Sequence, residues 1–178
     1  MRNTEKRKKI SIGVEDFKTL IDWNGYFVDK TLMIRDLIEN HAMVTLFNRP
    51  RRFGKTLNQF MIRRFFEDEI TEKGEKVDNG YLFDGLAITR CGEEIMQHQQ
   101  RYPVIFMTLK SAKQDTYALA YMELKKRISE EYKRHKYVLQ GETLTMDEKK
   151  RYEAVSANAD VASLYTDALG FPPASPAR

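Results

Sequence analysis

Thr45-Leu46-Phe47-Asn48-Arg49-Pro50-Arg51-Arg52-Phe53-Gly54-Lys55-Thr56-Leu57 is the stretch on which the fold reading turns. Met43-Val44-Thr45-Leu46-Phe47, at its start, is apolar and β-branched, as a buried parallel strand would be. Beyond it, Leu57, Phe60, Met61, Ile62, Phe65 and Phe66 recur at helical spacing. Strand, Gly-Lys-Thr turn and helix follow one another in the order that a phosphate-binding loop requires. In such a loop, backbone N–H groups and the helix N-terminus face the phosphates. Lys55 would supply the phosphate cation, Thr56 the hydroxyl that ligates Mg²⁺, and Gly54 the close backbone approach. Arg49 stands where the usual pattern has its first glycine. The competing reading is a basic turn between a strand and a core helix.

Length and composition predict one α/β domain. The 178 residues can bury one sizeable core but not two full ones. Cys91 is the single cysteine, which excludes an internal disulfide and suits a reducing compartment. The basic start, Met1 to Lys9, leads only into a short apolar run broken by Gly13 and Glu15, too short for a secretory signal. No stretch approaches the ~18 apolar residues of a membrane helix. A soluble, cytoplasmic protein without a membrane partner is therefore expected. The net charge of +4 is clustered: Arg49, Arg51, Arg52, Lys55, Arg63 and Arg64 surround the expected phosphate site. A bound polyphosphate would account for them, and a nucleic-acid backbone competes on charge alone. No recognition-helix, zinc-finger or RNA-binding aromatic pattern supports the latter.

Several segments in the same order resemble the AAA-ATPase-like family of bacterial P-loop proteins. The loop string Pro50-Arg51-Arg52-Phe53-Gly54-Lys55 is similar to that family's hallmark, in which the first glycine is commonly replaced. Ile12-Gly13-Val14-Glu15-Asp16-Phe17 and Tyr26-Phe27-Val28-Asp29-Lys30-Thr31 resemble its entry motif and its Tyr-x-Val-Asp-Lys-Thr segment. Phe83-Asp84-Gly85-Leu86-Ala87-Ile88 and Tyr102-Pro103-Val104-Ile105-Phe106 resemble two further blocks, so the likeness spans about residues 10–158. It implies a P-loop NTPase-type three-layer fold with a mainly parallel sheet, incomplete at the C-terminus. It also implies ATP and Mg²⁺ as cofactors, and adenine nucleotide held by Arg51, Arg52, Phe53, Gly54, Lys55, Thr56 and Leu57. Nucleic acid enters as a partner through the PD-(D/E)XK nuclease-like domain that longer relatives carry.

Read along the chain, residues 1–9 form a basic end, 10–160 the nucleotide-binding domain and 161–178 a tail. Helices are expected over 14–21, 30–39, 56–68, 116–136 and 146–159, with strands at 42–47 and 102–109. The tail holds three of the five prolines and no lysine, a composition that predicts disorder; the family resemblance implies a chain truncated before the Walker-B strand.

A second carboxylate at the end of a buried strand is what hydrolysis needs, and no such pattern follows the loop. Val104-Ile105-Phe106-Met107 runs into Thr108-Leu109-Lys110, leaving Asp84 and Asp115 as the first acids to consider. The expectation is ATP binding with weak or absent hydrolysis, and the enzyme question stays open. The alternative is a non-catalytic interaction or nucleic-acid-binding module derived from the same fold. His41, His98 and His135 lack metal-ligand spacing, and Cys91 has no neighbouring base. Asp29 and Lys30 read either as a helix cap and a solvated charge or as groups beside the ribose. Trp23 and Tyr26 read either as base-stacking residues or as a local aromatic cluster.

Overall fold

The computed structural model describes residues 8–50, 52–71, 73–141, 144–159 and 165. Among them the regular structure is helical: α1 (Phe17–Asp22), α2 (Leu32–Glu39), α3 (Lys55–Phe66), α4 (Glu93–Met96), α5 (Tyr117–Arg134) and α6 (Met146–Ser156), with short 3₁₀ turns between them. No β-strand occurs among the described residues; bridge pairs are isolated, as between Lys9 and Gly25 or Ile70 and Lys76. The expected α/β three-layer fold with its mainly parallel sheet is therefore corrected to an all-α one.

The physical reason lies in the two segments read as strands. An apolar extended run becomes a strand only when its backbone groups find a ladder partner. Residues 42–48 form neither helix nor strand, with a bend at Met43, and no hydrogen bond engages their backbone among the described residues. Residues 103–107 are satisfied differently: Arg134 Nη2 donates to the Val104 carbonyl at 2.5 Å, and His135 Nε2 lies 3.0 Å from the same oxygen. The Phe106 N–H donates to Glu131 Oε2 at 3.1 Å. Side chains at the end of α5 thus take the place of a neighbouring strand.

The chain divides into two compact units, Met1–Glu67 with Asp78–Arg101, and Asp68–Val77 with Tyr102–Arg178. In the first, α3 packs on α1, and α2 on the 3₁₀ turn Ala87–Arg90. Asp16 caps α1 by accepting the Thr19 N–H at 3.0 Å, satisfying one of the helix's unpaired donors. The core is Phe17, Ile34, Met61, Phe65, Leu82, Phe83, Ile88 and Ile95. Phe83 meets Phe17 and Phe65 with ring centroids 5.3 Å apart in each case, so one residue from a 3₁₀ turn ties α1 to α3.

The second unit is built on α5 and α6, which pack through Ile128, Tyr132, Tyr152 and Val155. Tyr152 donates to the Tyr132 carbonyl at 2.9 Å, and Ser129 Oγ donates to the Ser156 carbonyl at 2.7 Å. Helix α6 starts at a capping box formed by Thr145 and Glu148. The Thr-x-x-Glu spacing is the signal by which sequence alone could have found that start. The tail expected at 161–178 lies, Tyr165 aside, outside the described residues, as does most of the basic N-terminal end.

Candidate functional site

The loop expected to hold phosphate connects the apolar segment 42–48 to α3. Its backbone turns through two left-handed residues, Arg52 at φ 68° and Gly54 at φ 72°. Gly54 occupies the N-cap position of α3, and Lys55 is the first helical residue. The Lys55 ammonium folds back and donates to the Arg49 carbonyl at 2.7 Å, so it braces the loop instead of standing free above it. Phe53 is exposed, Thr56 and Leu57 are half-buried in the first turn of α3, and Arg51 lies outside the described residues.

Beneath the loop is a cavity of about 30 Å³ lined by Met33, Phe47, Arg49, Lys55, Asn58, Gln59 and Ile62. That is room for about one water, whereas small-molecule sites run to roughly 300–1,000 Å³. The basic cluster is also partly used up: Arg63 pairs with the fully buried Glu67 at 2.7 Å. No group of three or more His, Cys, Asp or Glu side chains is placed to hold a metal ion among the described residues. Asp84 and Asp115, the acids first considered, are both exposed.

These observations correct the ATP and Mg²⁺ expectation and, with it, adenine nucleotide as the partner. A phosphate loop needs a strand anchored in a sheet to aim its N–H groups, and among the described residues no backbone hydrogen bond holds the segment before the loop. The nucleic-acid-binding alternative derived from that fold falls with the same sheet. ATP-binding, P-loop and Walker-A function are not supported by this geometry.

Asp29 proves to be structural. Its Oδ1 accepts from the Thr31 N–H at 2.8 Å and the Thr31 hydroxyl at 2.7 Å, and its Oδ2 accepts from the Ala87 N–H at 2.7 Å. Thr31 Oγ1 in turn accepts from the Ile88 N–H at 3.1 Å. The two residues clasp the start of α2 to the Ala87–Arg90 turn. Partial burial disfavours the Asp29 carboxylate, but the hydrogen bonds from Thr31 and Ala87 outweigh it and hold the group below the usual range. His135 is buried, between the Val104 carbonyl and the Tyr137 hydroxyl at 3.2 Å, while His41 is exposed with φ 47°. Trp23 and Tyr26 are both largely exposed.

What sequence reasoning missed is the surface character of the segment before the loop. Met43, Val44 and Leu46 are 102, 86 and 87% exposed. Phe47 alone turns inward, toward the small cavity. The sequence signal was present as the apolar run itself; what it could not show is that the fold of the described residues leaves that run exposed.

Among the described residues the class is that of an all-helical protein in which the apolar segment Met43–Phe47 has no backbone partner. Residues 11–166 match the profile of the AAA-ATPase-like family, described as Predicted AAA-ATPase, and the chain belongs to that family. Membership does not bring the P-loop architecture with it, because the sheet is absent from the described residues. No curated protein and no solved structure matches the chain. No described helix is long and apolar enough to cross a membrane.

Proposed function

We propose that the chain is a polypeptide-binding module whose residues 42–48 receive an extended segment of another polypeptide by strand addition. One observation carries the reading: a run of five apolar or β-branched residues, Met43 to Phe47, lies outside any helix, is mostly exposed and has no backbone hydrogen-bond partner among the described residues. A lone edge of this kind is a template for pairing, with main-chain hydrogen bonds giving affinity and alternate side chains giving selectivity. Asn48, Arg49 and Pro50 end the run, so a partner strand would pair over about seven residues.

The test uses a fluorescent peptide of alternating valine and threonine, titrated against the full chain. Saturable binding by fluorescence anisotropy is expected. Thr45→Pro and Leu46→Pro remove N–H donors from opposite edges of the segment, so one of them should abolish binding. No binding to the wild-type chain, or equal binding to both proline variants, would overturn the reading.

A further inference from the structure

We propose that the second unit carries a binding site for a short peptide with both ends free, its carboxylate facing Lys133 and Lys136 and its ammonium facing Glu153. The site is an open cavity of about 850 Å³ lined by residues of that unit alone, and it does not depend on residues 42–48. Its walls are the end of α5, the 3₁₀ turn Lys136–Gln140, the end of α6, and the pair Thr71 and Gly74. Small-molecule sites run to roughly 300–1,000 Å³, so the space suits several linked residues and is far more than one amino acid fills.

The charges on the walls set the chemistry of the ligand. Lys133 comes from α5, Lys136 from the turn after it and Glu153 from α6; all three line the cavity and are exposed. None of their side chains has a hydrogen bond or an ion pair among the described residues. Arg134 also lines the cavity, but it is already engaged by Glu131 and by the Val104 carbonyl. Two cations and one carboxylate thus face a common space without partners of their own. A purely anionic ligand would be opposed by Glu153, and a purely cationic one by the lysines; a ligand carrying both charges satisfies both. Tyr137 and Leu139, half-buried on the wall, offer apolar cover to the stretch between its ends.

The place of Glu153 is what ordinary surface charge does not explain. It lies in the last turn of the 11-residue α6, where the helix dipole is negative and a carboxylate is unfavourable. That turn holds no basic residue, while Asp147 and Glu148 occupy the favourable first turn. Lys133, by contrast, complements the end of its own helix. An unpaired carboxylate at the wrong end of a helix, on the wall of a cavity, is a local rule broken where a bound ammonium would restore it.

The test titrates trialanine against the isotope-labelled full chain by heteronuclear NMR. Saturable shifts at one site per chain are expected at millimolar peptide. N-acetyl-trialanine and trialanine amide each lack one end charge and should bind at least tenfold more weakly. Glu153→Gln should abolish the preference for the free amine and keep that for the free carboxylate. Lys133→Gln combined with Lys136→Gln should do the converse. All three positions are exposed, so these variants should fold, and without peptide Glu153→Gln should raise the thermal midpoint by relieving the helix end. Absence of saturable binding, equal binding of the blocked peptides, or end preferences unchanged in both variants overturns the proposal. A lowered midpoint in Glu153→Gln overturns it too, since the carboxylate would then be structural. Free alanine binding as tightly as trialanine would overturn the assignment of a peptide.

Discussion

The Asp29 carboxylate accepts the Ala87 N–H at 2.7 Å across a sequence separation of 58, fixing the entry of α2 to the Ala87–Arg90 turn. Thr31 stands behind it, with no exposed surface, donating to Asp29 and accepting from Ile88. A motif that sequence left open between a helix cap and a ribose contact is thereby a clasp between two parts of one core.

The clasp predicts an order of effects. Asp29→Ala should cost about 1 kcal/mol, the typical net loss of a hydrogen-bond acceptor at a partly exposed position. Thr31→Val should cost more, about 1–3 kcal/mol, because it leaves the Ile88 N–H without its acceptor in a buried place. The pH dependence follows from the lowered Asp29 pKa. Its contribution is fully present above the ordinary carboxylate pKa of about 4 and is lost as pH falls through the lower folded value. Urea denaturation of wild type and Asp29→Asn between neutral pH and pH 3 checks this: the two curves should converge at the acid end. Parallel curves would show that Asp29 is not the group responsible.

Two glycines should respond differently to alanine. At Gly54 nothing lies within 4 Å of an added Cβ, and only its φ of 72° opposes substitution, a cost of about 1 kcal/mol. At Gly25 an added Cβ would fall 2.4 Å from Leu20 Cδ1 and 2.9 Å from the Leu20 carbonyl oxygen. The chain must shift to relieve a backbone contact of that kind. Gly25→Ala should therefore lower the thermal midpoint more than Gly54→Ala, and the reverse order would contradict the packing at the end of α1.

In the second unit the Tyr152 hydroxyl is the sensitive group. Burial foremost, with the nearby Tyr132 and Tyr137 adding, drives its pKa well above the ordinary phenol value, so it remains a donor to the Tyr132 carbonyl throughout the accessible range. Tyr152→Phe removes that bond and should cost about 1 kcal/mol, with no change in the cost between pH 7 and 10. A cost that disappears over that interval would mean that the phenol ionises there.

The helices were legible because their patterns are local. Leu57, Met61 and Phe65 repeat along α3 and reach the core, and Asp16 lies where a cap is needed. The sheet was misread because a strand is not a local object. Met43 to Phe47 has strand composition, yet whether it becomes a strand depends on a neighbour that composition cannot name. The run Val104 to Met107 shows the same limit from the other side, its Val104 carbonyl and Phe106 N–H being engaged by Glu131, Arg134 and His135 roughly 30 residues away. Two 3₁₀ turns, Gly80–Phe83 and Ala87–Arg90, carry Leu82, Phe83 and Ile88 into the core without any periodic signal. For the site, the loop string could be read in the sequence, but the small cavity beneath it and the bond from Lys55 to the Arg49 carbonyl depend on packing.

Lys55 supplies the last prediction. Its ammonium is engaged with the Arg49 carbonyl at an exposed position, a bond whose loss should cost only a few tenths of a kcal/mol. The cavity behind it holds about 30 Å³, too little to enclose an adenine nucleotide. A ligand that binds the native state raises its stability by RT ln(1 + [L]/Kd), so millimolar ATP at micromolar affinity would add about 4 kcal/mol. The expected result is no shift in thermal midpoint on adding ATP with Mg²⁺, for wild type and Lys55→Ala alike, and midpoints within about a degree or two of each other without it. A rise of several degrees in wild type that vanishes in Lys55→Ala would show that the loop can hold phosphates without a sheet behind it. Lys55 would then be a ligand-binding cation, and its bond to the Arg49 carbonyl only its resting place.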